Sequence, residues 1–306
     1  MRRSTVWTAG GSAALAGALV VAGLALTSGA RERAAAPIAT PSPTASVVSA
    51  PPPLASTPVP AAAVVDACAL PGVADGLADG DDSAVVEAMG GARALREAVV
   101  AGTAPCIDLA DPSHVWMVVD KSRPYSPRDY EPGGLTRVQD MRVFNAGVLR
   151  SDAGAALTAL VAGAQEEGAG EIAITSGYRS YRTQHTEYAG QVAALGRRAA
   201  DAVSARPGFS EHQSGLAADV VACTKRGCSS IEHLGSTRQG AWLADNAWRY
   251  GFVIRYEKGQ TGTTGYSPEP WHIRYVGVEL ATAYHEGGFH TLEEFWGLPA
   301  SPDYGD

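Results

Sequence analysis

The chain has 306 residues, with 24 Lys and Arg against 32 Asp and Glu and a net charge of −8. The first 60 residues hold four arginines and one glutamate, a charge of +3, which leaves −11 on the rest. A body this acidic excludes nucleic-acid binding by charge, which needs a basic patch or stripe. Its 45% apolar content excludes a wholly disordered chain.

Residues 1–30 read as an export signal or membrane anchor. Arg2 and Arg3 form a positive start, and an uncharged stretch from Val6 to Ala30 follows. Ser28 and Ala30 are small residues spaced as a cleavage site requires. The stretch also exceeds the roughly 20 apolar residues that span a bilayer. Either outcome, with the positive end retained inside, places the remainder outside the cytoplasm. Residues 31–60 are a linker. From Pro37 to Pro60 the only residue types are Pro, Ala, Ser, Thr, Val, Leu and Ile, with eight of the 19 prolines. Such a segment is extended and semi-rigid.

Residues 61–107 predict a small helical unit. Val85, Val86 and Met89, then Leu95 and Val99, recur at helical spacing on either side of Gly90-Gly91. From 108 to 306 the pattern changes to a mixed domain. Val115–Val119 predicts a strand, and Lys121–Gly134 is rich in turn residues. Helices are predicted over Ser151–Glu167, Tyr181–Leu195 and Ala241–Tyr250. Strands are predicted over Glu171–Thr175, Leu216–Ala222, Phe252–Tyr256 and His272–Val276. Thr291, with Glu294 three residues later, reads as a capping box for a last short helix. Helices and strands do not alternate regularly, so the expected class is α+β, with helices packed around a small antiparallel sheet. Four cysteines in an exported chain predict disulfides. Cys223 and Cys228 enclose only four residues, which pairs them and leaves Cys68 for Cys106. A cysteine zinc site is the weaker alternative, because the close pair has no second close pair to complete it.

Two segments concentrate chemistry. The first runs from Ser210 through Glu211, His212 and Gly215 to Asp219. A turn at Gly215 would bring His212 back beside Asp219 at the start of a strand. The second is Glu269-Pro270-Trp271-His272, where Pro268 and Pro270 forbid a helix interior. Two histidines and a carboxylate with an open fourth position describe a catalytic zinc site, and Glu269 is the spare general base such a site needs. Of the seven histidines, His114, His233, His285 and His290 lack this setting, and a lone histidine is more often a surface or core residue than a ligand.

These segments resemble the VanY-like D-alanyl-D-alanine carboxypeptidases, zinc peptidases of bacterial cell walls that share a fold group with lysostaphin-like enzymes and the hedgehog domain. Ser210 to Asp219 fits the family pattern S-x-H-x-x-G-x-A-x-D, and Glu269 to His272 fits E-x-W-H. Ser176-Gly177-Tyr178-Arg179-Ser180-Tyr181 with Gln184, the run Tyr250–Tyr256, and Thr264-Gly265-Tyr266 are similar to further family segments. The resemblance covers residues 110–285 and implies roles for particular residues. His212, Asp219 and His272 would bind Zn²⁺. Glu269 would move a proton from water to the leaving amine. Arg179 would stabilise the oxyanion, and Gln184, Ser210 and Tyr256 would contact the substrate peptide. The implied substrate is the peptidoglycan stem peptide, met outside the cytoplasm, and the oligomeric state is left open.

The same zinc site would serve an L,D-carboxypeptidase or a peptidoglycan endopeptidase, and a non-catalytic wall-binding domain is a more distant reading. A serine-type peptidase is excluded. Lys121, Lys225 and Lys258 are the only lysines, none has Ser three residues before it, and no Gly-x-Ser-x-Gly occurs.

Overall fold

A computed structural model describes residues 66–144 and 147–305. The expected signal or anchor and the linker lie outside them. Among the described residues no helix is long and apolar enough to cross a membrane.

Three short helices come first: α1 (Val73–Asp79), α2 (Asp82–Ala88) and α3 (Ala92–Val100). Gly90 and Gly91 separate the last two, both at positive φ (88° and 97°), which glycine adopts without Cβ strain. Asp81 caps α2 by accepting from the Ala84 N–H at 3.0 Å. Strands β1 (Leu135–Arg137) and β2 (Val148–Arg150) form an antiparallel pair that leads into α4 (Ser151–Glu166). Next come β3 (Glu171–Ser176), α5 (Tyr181–Leu195) and α6 (Arg197–Asp201), then β4 (Ala217–Thr224) and β5 (Gly227–Cys228). The chain continues through α7 (Arg238–Asn246), β6 (Phe252–Tyr256), α8 (Thr261–Thr264), β7 (Glu269–Tyr275), α9 (Val278–Glu286) and α10 (Leu292–Phe295).

The main sheet has the order β3-β4-β7-β6, all antiparallel, with β5 paired to β4. The fold is thus the expected α+β class. Strand alternation divides the sheet's two faces. Ala218, Val220 and Ala222 of β4, Ile172 and Ile174 of β3 and Ile273 of β7 enter the main core, where Leu157, Leu160 and Val161 of α4 also lie. Residues of opposite parity, Asp219 on β4 with His272 and Arg274 on β7, take no part in that core.

Residues 66–107 contribute to the same core through fully buried Val73, Val85 and Leu95, and all described residues fall in one compact unit, Ala61–Asp306. The change of pattern near residue 107 is therefore not a break in packing. Cys68–Cys106 and Cys223–Cys228 are joined as disulfides, and no described cysteine is free.

Two local expectations are corrected. Val115–Val119 is buried but forms no strand. Its carbonyls at Val115 and Met117 accept from the Arg274 guanidinium at 3.2 and 2.8 Å, so backbone polar groups are satisfied by a side chain instead of a ladder. At α10, Thr291 accepts from the Glu294 N–H at 3.0 Å, but the Glu294 carboxylate accepts from the His290 N–H at 3.1 Å. Only half of the capping box forms as drawn.

Candidate metal centre and active site

The centre is built where β4 meets β7. Cross-strand pairing sets Asp219 opposite His272, and Ser176 on β3 lies opposite Asp219 on its other side. His212 arrives from a single 3-10 turn, Glu211–Ser214. Gly215 ends that turn at φ 72°, and a Cβ there would lie 3.0 Å from the Arg150 nitrogen. A glycine is needed on both counts. The reversal brings His212 Nε2 to 3.2 Å from Asp219 Oδ2, while His272 Nδ1 lies 3.2 Å from Asp219 Oδ1.

Glu269 opens β7. The β6–β7 pairing shifts register between Ile254 and Tyr256, so that Tyr256 pairs with Glu269 and the two strands lose step across Pro270 and Trp271. This irregularity offsets strict strand alternation, which would send residues three apart to opposite faces. Glu269 Oε2 comes within 3.9 Å of His272 Nδ1.

The donor atoms suit a metal ion. One from each of His212, Asp219 and His272 lies within 4.8 Å of the others. His212 Nδ1 faces the Gly177 carbonyl at 2.8 Å, which accepts its proton and leaves Nε2 as a lone pair. His272 Nε2 faces the Glu211 carboxylate at 3.1 Å, so in the neutral ring a proton held there leaves Nδ1 as the lone pair. Both free lone pairs therefore point at Asp219. Ligands about 2.0–2.1 Å from a tetrahedral ion stand roughly 3.3 Å apart, and each histidine lies 3.2 Å from one of the two Asp219 oxygens.

The same buried groups perturb one another's protonation. Burial would raise the Asp219 carboxyl, but His212 and His272 hold it well below the carboxylate range. Burial keeps His212 below its ordinary value. For His272 burial is outweighed by hydrogen bonds to Asp219 and Glu211, which raise it to about 9. Metal binding at neutral pH must then displace a proton from His272. Burial pushes the Glu269 carboxyl up to about 7, despite His272 nearby. That is the range of a general base operating near neutrality.

A cleft of about 430 Å³ opens over these groups and is also lined by Arg179, Gln184, Ser210 and Tyr256. All the sequence-predicted site residues are thus in one place. Arg179 lies just before the N-cap of α5, and its backbone N–H donates to the His212 carbonyl at 3.2 Å. Its guanidinium pairs with Glu187 one helical stretch along, while its Nε has no partner. Gln184 is buried, and its Nε2 donates to the Ala205 carbonyl at 2.6 Å. Its N–H group is therefore engaged with the chain, and the atom left without a partner is the acceptor Oε1. The Tyr256 ring packs 5.0 Å from that of His272, and burial keeps its hydroxyl protonated. Ser210 is buried at the start of the 3-10 turn.

Glu187, Glu211, Glu232 and Trp271 also line the cleft. Sequence reasoning missed Glu211 together with Arg255, Arg274 and Glu293, which bond to it directly or through one another. One signal was available: Arg255 and Arg274 each interrupt an apolar strand, and a buried charge requires a buried partner.

The chain is similar to known proteins. Residues 147–278 match the family model VanY, D-alanyl-D-alanine carboxypeptidase. The chain is 38% identical to the carboxypeptidase-type protein YodJ of Bacillus subtilis (strain 168) over 192 residues, 61% of this chain and 69% of that protein. It is 37% identical to a D-alanyl-D-alanine carboxypeptidase of Enterococcus faecium over 136 residues, 44% of this chain and 40% of that relative. Less than half of the enterococcal protein is therefore spanned. Among solved structures, the LD-carboxypeptidase LdcB, described in connection with peptidoglycan recognition, is similar at 38% identity. It covers 61% of this chain and 87% of its own, with a TM-score of 0.56.

Proposed function

The chain belongs to the VanY D-alanyl-D-alanine carboxypeptidase family, and from that premise we propose that it is an exported zinc enzyme removing the terminal D-alanine of peptidoglycan stem peptides. One observation carries the reading. His212, Asp219 and His272 present converging donors beside Glu269, whose carboxyl is poised at about 7.

Zinc, when bound, supplies a Lewis acid that polarises the scissile carbonyl and lowers the pKa of a water toward ~7. The protein's own groups do the rest. Glu269 accepts the proton of the attacking water as the carbon–oxygen bond forms. It returns a proton to the leaving amine as the carbon–nitrogen bond breaks. Arg179 places a fixed guanidinium where negative charge develops on the carbonyl oxygen. Tyr256, kept protonated, offers a hydroxyl donor in the same cleft. The disulfides fit an oxidising compartment outside the cytoplasm.

Similarity to LdcB favours a second reading, an L,D-carboxypeptidase with the same metal site. Mass spectrometry of defined muropeptides separates the two. The first predicts loss of one D-alanine from pentapeptides and none from tetrapeptides. The second predicts loss from tetrapeptides, and cleavage of cross-linked dimers would instead mean an endopeptidase. Metal analysis should find about one zinc per chain. Activity should vanish with a chelator and return with Zn²⁺. Activity that survives complete metal removal would end both readings.

A further inference from the structure

We propose that Glu211 is a positioning residue for the metal centre: it fixes His272 so that Nδ1 is offered to the metal, and a buried ion network holds Glu211 in place. The proposal rests on the metal-binding reading of His212, Asp219 and His272.

Glu211 is fully buried between Ser210 and His212. Its Oε2 lies 3.1 Å from His272 Nε2. Its Oε1 accepts from Arg255 Nε at 2.9 Å and from Arg274 Nη1 at 3.0 Å. A carboxylate accepts, so once Nδ1 is given to a metal the remaining His272 proton sits on Nε2, facing Glu211. The lone pair is then on Nδ1, beside Asp219 and Glu269. A carboxylate behind a metal-bound imidazole fixes its tautomer and ring orientation and raises its basicity.

The mount is as specific as the contact. Arg255 turns its other two nitrogens to Glu293 of α10, at 2.9 and 2.7 Å. Arg274 spends its remaining nitrogens on the carbonyls of Val115, Met117 and Tyr275. All four charged side chains are at most 1% exposed. Two carboxylates and two guanidiniums balance, which a buried group of this size requires. These bonds hold Glu211 in place, and its one side-chain bond outside the ion network is to His272.

Zinc affinity tests the assignment, measured by competition with a chromophoric chelator on the whole protein. In Glu211→Gln an amide N–H can face His272 Nε2 and favour the wrong tautomer. The expected result is roughly 10–100-fold weaker zinc binding with the fold retained by circular dichroism. Glu293→Gln disturbs the same network without touching His272. It should lower the melting temperature yet weaken zinc binding less than Glu211→Gln does. Equal zinc affinity in Glu211→Gln and the native protein would overturn the proposal. So would equal losses in the two variants, which would make Glu211 merely structural. Should Glu211→Gln fail to fold, nitrogen-15 NMR of the zinc-loaded native protein decides. A proton on His272 Nε2 supports the assignment, and a proton on Nδ1 ends it. A native protein that binds no zinc would instead defeat the metal reading itself.

Discussion

Glu269 combines two conditions that pull against each other. It must be a carboxylate to take a proton, yet it sits where burial holds its carboxyl up at about 7. A raised value means the base form accumulates only as pH climbs through that range, and a cation at the neighbouring donors would draw the value down. The expected pH profile of kcat/KM therefore has an acid limb at or below about pH 7. Glu269→Gln should keep its zinc while kcat falls by roughly 10²–10⁴. Steady-state kinetics with metal analysis on the same preparation checks both. A variant that holds zinc and works at the native rate would remove Glu269 from the mechanism. His212, Asp219, His272 and Glu269 were readable from sequence because each couples a ligand-type side chain to a backbone-shaping Gly or Pro. Glu211 was not. Its role depends on Arg255 and Arg274, which lie 44 and 63 residues away and meet it only across the folded sheet.

Helix α4 shows how an element is fastened to the strand that precedes it. Asp152 lies in its first turn and accepts from the Ala153 N–H at 2.9 Å and from Arg150 Nε at 2.9 Å. Burial would raise the Asp152 carboxyl, but the Arg150 hydrogen bond and charge, with the backbone donors, hold it below its ordinary value. A carboxyl lowered by folding adds stability above its unfolded pKa of ~3.9 and loses it as pH falls through the lowered value. Asp152→Asn should cost about 1 kcal/mol or less at pH 7, since the pair is partly exposed. It should also flatten the acid arm of melting temperature against pH below about 4. Thermal unfolding across a pH series measures both, and an unchanged acid arm would contradict the assignment. The elements α4, α5, β4 and β6 were legible to within two or three residues. The β1–β2 pair was missed because its short strands sit among turn residues with no alternating run. Val115–Val119 misled because its apolar content is real, while its backbone partners come from Arg274.

At the scale of the molecule, residues 66–107 brace the edge that carries the ion network. Arg96 of α3 donates to the Phe295 carbonyl at 2.6 Å and lies over the Phe289 ring at 4.4 Å. Phe295 ends α10, the helix whose Glu293 clamps Arg255 and so reaches Glu211 and His272. Hydropathy could place helices here but could not say what they pack on, because Val85, Val86 and Leu95 would fit any apolar surface. The Cys68–Cys106 bridge closes this segment over a separation of 38 residues, against 5 for Cys223–Cys228. Loop-closure entropy then assigns about 4 kcal/mol to the first bridge and about 2 kcal/mol to the second. Replacing Cys68 and Cys106 together with serine should therefore cost more stability than the same change at Cys223 and Cys228. Neither pair touches the metal donors, so zinc affinity below the melting transition should stay native in the first variant. Denaturant unfolding followed by chelator competition gives the two quantities separately. If the Cys68/Cys106 variant unfolds no more readily than the Cys223/Cys228 variant, residues 66–107 are not a closed brace. If it loses zinc while still folded, the brace acts on the metal centre through α10 and not through global stability alone.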